Sequence, residues 1–141
     1  MEGLLMKDVF DMVTDVRSLL NVPALTSLID GGIYPSIRPD GSTKCDVVIN
    51  GLGITQNQDQ AGAGNINIYV PKIKAGTLMV PDQARMSAIG KAVMPLIDGI
   101  YKSTFRVFLD GPALPIQDTD GSYFVNIQYK YYSIQNKQVE V

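Results

Sequence analysis

Apolar and polar residues alternate most strictly over residues 65–70, where Ile66, Ile68 and Val70 are spaced by two and Asn65 and Asn67 stand between them. That period puts the branched side chains on one face of a strand and the amides on the other. A first apolar segment, residues 45–55, precedes it, and together they read as a hairpin over residues 45–73 that forms the centre of the fold. The connection, residues 56–64, carries no apolar side chain larger than alanine. It cannot bury itself and is expected to project from the sheet as a long loop. Deleting residues 58–63 is accordingly expected to leave the fold intact, because loop length costs little.

The other periodic segments follow a three-and-four spacing or an alternation. Leu5, Val9, Met12, Val13, Val16, Leu19 and Leu20 mark an amphipathic helix over residues 4–20. Pro23 suits the first turn of a short helix over residues 23–29, closed by Gly31-Gly32. Residues 33–37 read as extended and, with Pro35 inside, belong to an edge or an irregular strand. Pro39-Asp40-Gly41 is a turn, and Lys74-Ala75-Gly76 breaks the pattern after the hairpin. Met86, Ile89, Val93, Leu96 and Ile97 form the stripe of a second main helix over residues 82–97, with Pro95 expected to kink or loosen its last turn. Residues 105–109 read as a short strand, 110–121 as a loop and 122–134 as a long strand with Val125, Ile127, Tyr129 and Tyr131 on one face. The tail, 135–141, is polar and expected to be loose. The order helix, strand pair, helix, strand pair predicts one α+β domain: a single antiparallel sheet with two main helices on one face and its other face polar or available to a partner.

Composition removes most chemistry from this frame. The 141 residues contain no histidine, which takes away the commonest general base and metal ligand together. The lone cysteine, Cys45, excludes an internal disulfide and reads as a small buried hydrophobe. Both glutamates, Glu2 and Glu140, lie at the ends, so a carboxylate-only active site is not expected and no cofactor or metal is implied. Asp118-Thr119-Asp120-Gly121 has the look of part of a calcium loop. With Gly121 at the sixth position, however, Ile116 and Ile127 would fall at the first and last ligand positions, so a polar turn is the expectation. Twelve basic against 14 acidic residues, scattered along the chain, give no field for nucleic acid. No apolar run approaches a membrane span, and the first residues do not read as a signal peptide.

What remains points to surfaces. The amides Gln56, Asn57, Gln58 and Gln60, with Asp59, either form a solvated connection or order against a neighbouring subunit. Tyr129, Tyr131 and Tyr132 put aromatic rings on both faces of the last strand, with Tyr131 and Tyr132 candidates for sheet-edge contacts and a core place open to Tyr129 and Tyr131.

The layout over residues 4–134 resembles the phage tail-terminator or tail-completion family, the lambda-type terminators and their prophage relatives. The pieces that carry the resemblance are Pro23-Ala24-Leu25-Thr26-Ser27-Leu28-Ile29, then Gly32-Ile33-Tyr34-Pro35, Asp46-Val47-Val48-Ile49 and Asn65-Ile66-Asn67-Ile68-Tyr69-Val70. The helix end Leu96-Ile97-Asp98-Gly99 and the strand end Tyr129-Lys130-Tyr131-Tyr132-Ser133 complete it. Such a resemblance implies a structural protein of the virion tail, assembled in the host cytoplasm. Its subunits would form a ring, usually a hexamer, that caps the tail tube and joins it to the head connector. It implies three partners: copies of the chain itself, the tube protein and the connector or stopper protein. A head-completion (stopper) protein and a small ligand-binding module are the competing readings.

Overall fold

The computed structural model describes residues 6–57 and 59–134 of the chain. Helix α1 (Val9–Leu20) starts just after Asp8, whose carboxylate accepts from the Asp11 amide at 2.8 Å while the Asp11 carboxylate accepts from the Asp8 amide at 3.0 Å. This reciprocal cap satisfies two otherwise open amides and leaves residues 6–8 outside the helix that periodicity had extended over them. Helix α2 (Pro23–Thr26) is a single turn, shorter than the expected 23–29. Helix α3 (Gln83–Ile97) is capped by the Asp82 carboxylate and continues through Pro95 to Ile97.

Among the described residues nine strands accompany them: β1 (Ile33–Pro35), β2 (Asp46–Ile54), β3 (Ala61–Val70), β4 (Ile73–Ala75), β5 (Leu78–Val80), β6 (Ile100–Tyr101), β7 (Phe105–Leu109), β8 (Leu114–Gln117) and β9 (Tyr123–Ser133). Seven of them make one sheet in the order β1-β2-β3-β9-β7-β6, with β8 beside Tyr123 to Asn126 of β9, on the same edge as β7; β4 and β5 form a separate two-stranded sheet. The expected single antiparallel sheet with two packed helices, ordered helix, strand pair, helix, strand pair, is therefore incorrect. The main sheet is mixed, strands dominate the chain, and a second sheet stands apart.

The parallel pair β1–β2 has a physical cause that periodicity does not carry. Asp46, fully buried, accepts from the Gly32 amide at 3.1 Å and from the Ser42 hydroxyl, with the Arg38 guanidinium 3.7 Å away. The Asp30 carboxylate accepts from the Cys45 amide at 2.8 Å. These carboxylates hold both strand beginnings side by side and draw the intervening turn back over them.

Strand β3 also departs from the expectation, because it begins at Ala61 and takes in four residues assigned to the loop. Ala61, Gly62, Ala63 and Gly64 pair with Tyr132, Tyr131, Lys130 and Tyr129 of β9. Deleting residues 58–63 would thus remove part of the central ladder, and the expectation that the fold survives it is withdrawn. The expected loop 110–121 likewise contains β8, and Lys74-Ala75-Gly76 sits in the β4–β5 hairpin, with Gly76 at φ 64°.

A single apolar cluster lies between one face of the sheet and helices α1 and α3. Met12, Val16 and Leu20 of α1 and Ile89, Val93 and Ile97 of α3 meet Ile66, Ile68, Ile127 and Tyr129 there. Two polar tethers reach into it. The Tyr129 hydroxyl donates to the Asn50 carbonyl at 3.0 Å. The Tyr131 hydroxyl donates to the Asp15 carboxylate, and Lys7 Nζ joins that pair at 2.7 Å from Asp15 and 3.0 Å from Tyr131. Cys45 is buried, in keeping with its reading as a small hydrophobe.

Gly64 is the tightest point of the ladder. A Cβ there would overlap the Asn50 carbonyl oxygen and the Tyr129 hydroxyl, and a backbone oxygen cannot swing aside. Gly64→Ala is expected to cost about 2–4 kcal/mol, read as a lowered urea midpoint. Alkaline pH should also unfold the protein. Burial holds the phenols of Tyr129 and Tyr131 above their ordinary range, the latter helped by the Asp15 carboxylate, and burial pushes the Cys45 thiol up to about 11. All three folded values exceed the unfolded ones of about 8.5 for cysteine and about 10 for tyrosine, so stability is full below about pH 8.5 and falls as pH rises beyond it. Urea midpoints measured from pH 7 to 11 should show that fall, shallower in Tyr131→Phe.

Candidate interaction surfaces

Of the residues singled out by sequence, the structure separates those that hold the fold from those that face outward. Gln56, Asn57 and Asp59 are exposed in a connection shortened to residues 55–60; Gln58 lies outside the described residues. Gln60 is buried. Its amide nitrogen donates to the carbonyls of Lys7 and Thr55, both at 2.8 Å, and its oxygen accepts from the Lys7 amide at 2.8 Å. This side chain thus ties the segment before α1 to the sheet. Tyr131 is fully buried, its ring stacked on Phe105 at 5.7 Å. Tyr132, one residue on, faces the opposite side and is half exposed.

The sheet face away from the helices divides into two halves. Over the half nearest β1, the connection between β1 and β2 folds across: the Arg38 guanidinium lies 4.0 Å from the centre of the Tyr69 ring, and Tyr69 packs on Phe124 at 5.0 Å. Beside them, Asn126 Nδ2 donates to the side-chain oxygens of Asn65 and Asn67 at 3.1 and 2.8 Å. The alternating asparagines thus satisfy one another across strands. A polar cavity of about 280 Å³, lined by Arg38, Asp40, Asn50, Tyr69, Asp118 and Asp120, opens here.

The other half is aromatic and, among the described residues, open. Tyr132 of β9, Phe108 of β7 and Tyr101 of β6 meet edge to face, with centroids 6.0 and 5.6 Å apart, and the Arg106 guanidinium lies 5.3 Å from the Tyr101 ring. Lys130 stands opposite Phe108, and the neighbouring positions on β3 are Ala63 and Ala61. Small residues beside a wall of rings make a shelf, with Leu52 exposed at the β2 bulge beyond it. Sequence reasoning found Tyr132 here but missed its companions, because Tyr101 and Phe108 join it only through the β6–β7–β9 pairing.

Two further apolar features stand on the surface. The β4–β5 hairpin exposes Ile73, Leu78 and Met79. A groove of about 650 Å³ runs between α3 and the segment leading into β8, lined by Met86, Gly90, Met94, Ala113, Pro115 and Val125. Asp118-Thr119-Asp120-Gly121 forms a tight turn, in which the Gly121 amide donates to the Asp118 carbonyl at 3.0 Å and the Asp120 carboxylate accepts from the Ser122 amide at 2.9 Å. The Ser122 hydroxyl, which donates to the same carboxylate at 2.6 Å, and the Ser122 amide hold the Asp120 carboxyl below its usual range. Among the described residues, no group of three cysteine, aspartate or glutamate side chains is placed to hold a metal, and no helix is long and apolar enough to cross a membrane.

No protein-family model and no curated protein matches the chain. Its fold is similar to that of a chain in the solved structure described as the virion of a native gene transfer agent (GTA) particle. The TM-score is 0.58 at 12% identity, over 86% of this chain and 92% of that one. This is a likeness of fold, running nearly end to end in both chains.

The Gln60 tether generates its own prediction. Gln60→Ala should leave the Lys7 and Thr55 backbone groups without these partners and destabilise the protein by about 1–3 kcal/mol. Amide hydrogen exchange should quicken at residues 7–9 and 55–60, with the α3 amides unaffected at the same denaturant concentration.

Proposed function

We propose that this protein is a structural subunit of a phage-like virion that assembles into a closed ring, six subunits around, at the end of a tail tube, and joins the tube to the head connector. The likeness of fold to a chain of a gene transfer agent virion is the observation that carries this reading. It is supported by where the molecule spends its unsatisfied surface. Exposed aromatic and aliphatic side chains gather on an open sheet face and on a projecting hairpin, as expected of a subunit that buries them in an assembly. On this reading the protein works by shape and not by catalysis. Its rigid sheet fixes the angle between neighbours, and one face of the ring covers the tube end and stops further addition of tube subunits. Gln56, Asn57, Asp59 and Tyr132 are the outward members of the contact set proposed from sequence.

Mass photometry of the purified chain, alone and after mixing with tail-tube protein, tests the reading. The expected species has six times the mass of the chain, visible as a ring by negative-stain microscopy and bound to the ends of preformed tubes. Capture by connector protein with no affinity for tubes would reassign it to the stopper position. A monomer under every condition, with saturable uptake of a small molecule in the α3 groove, would replace the assembly reading by a ligand-binding one.

A further inference from the structure

The open half of the sheet face and the outer side of α1 carry opposite charge. On the sheet, the outward positions are Tyr101, Arg106, Phe108, Lys130 and Tyr132, next to Ala61 and Ala63, and none is acidic. On α1, the exposed positions include Phe10, Asp11 and Thr14, with Asp8 at the cap. Phe10 is 75% exposed, more than any other large apolar side chain described. The two bases on and just before α1 are engaged elsewhere: Lys7 is held by Asp15 and Tyr131, and Arg17 Nε donates to the Ile33 carbonyl at 2.9 Å. Asp8 and Asp11 therefore face outward flanking an exposed ring, with no ion pair to either among the described residues.

We infer that the acidic Phe10 stripe of α1 in one copy docks on the basic aromatic shelf of the next, with Phe10 seated over Ala61 and Ala63 against Tyr132, and Asp8 and Asp11 opposite Arg106 and Lys130. Charge complementarity selects a second copy as the occupant, since each surface supplies what the other lacks. Placement selects the symmetry. Because α1 packs on the buried side of the sheet and the shelf lies on the other, the contact joins two different surfaces and repeats head to tail. The inference rests on the ring reading above and assigns its subunit junction.

Charge reversal tests it in the full-length chain. Phe10→Ser and Arg106→Glu should each weaken self-association by about tenfold or more in concentration series read by mass photometry. Asp11→Lys should do the same, and the double variant Asp11→Lys/Arg106→Glu should recover most of the loss. Circular dichroism melts guard the comparison, since Asp11→Lys also removes half of the helix cap; an assembly defect with an unchanged melt supports the junction. Wild-type rings that persist unchanged in Phe10→Ser and Arg106→Glu would overturn the inference and leave the ring reading standing. A wild-type chain that forms no ring, with or without tubes, would overturn both. Binding of a labelled single-stranded oligonucleotide that Arg106→Glu abolishes, with assembly untouched, would give the shelf to nucleic acid and refute the docking.

Discussion

Ten consecutive residue pairs between β3 and β9, from Ala61 opposite Tyr132 to Val70 opposite Tyr123, set the place of nearly everything else. With side chains alternating every residue, a slip by one would move the whole apolar set to the wrong face. In the observed register Ile66 meets Ile127 and Ile68 meets Val125 beneath the helices, while Asn65, Asn67 and Asn126 join on the far side. The same register puts Gly64 opposite Tyr129 and Gly62 opposite Tyr131. Cβ atoms at Gly51 and Gly62 would run into Met12, so the glycines of β2 and β3 are what let α1 lie close to the sheet. Residues that resemble a flexible linker by composition are thus the narrowest part of the core.

This explains what the sequence disclosed and what it concealed. Helices α1 and α3 and the alternating parts of β3 and β9 were legible because each announces itself through its own side chains over many residues. Ala61 to Gly64 did not, since a strand that must accommodate Tyr129 and Met12 contributes almost no side chain of its own. Gln60 read as one more amide of a connection either solvated or ordered against a neighbouring subunit, yet its partners include backbone groups of Lys7 and Thr55, one of them 53 positions away. The parallel pairing of β1 was hidden for a similar reason, as it depends on where the buried Asp46 carboxylate finds its donors. Of the candidate contacts, Tyr132 could be placed on the opposite face from Tyr129 by alternation alone, but the ring cluster it joins could not.

The edges of the main sheet narrow how such a subunit can associate. At one end β1 is three residues long and contains Pro35, which has no amide to donate; at the other, β6 is two residues long. Short edges and proline are the usual means by which sheets discourage strand addition. Growth of a continuous intersubunit sheet is therefore disfavoured at both ends. On the proposed assembly reading face contacts remain, and the aromatic half is the part of the face that the described residues leave open.

Rigidity joins that face to the opposite side of the molecule. The segment before α1 is held by Gln60 through the Lys7 backbone and by Asp15, Thr104 and Tyr131 through the Lys7 ammonium, so the start of α1 is fixed relative to β7 and β9. The shelf is built on those same two strands: Phe105 stacks on Tyr131 inward, while Phe108 meets Tyr132 outward. A surface prepared in this way would lose little freedom in the proposed association, which lowers its cost. In the proposed ring the same rigidity would hold one angle between successive subunits, and a head-to-tail series closes only where that rotation divides a full turn, an open filament forming otherwise.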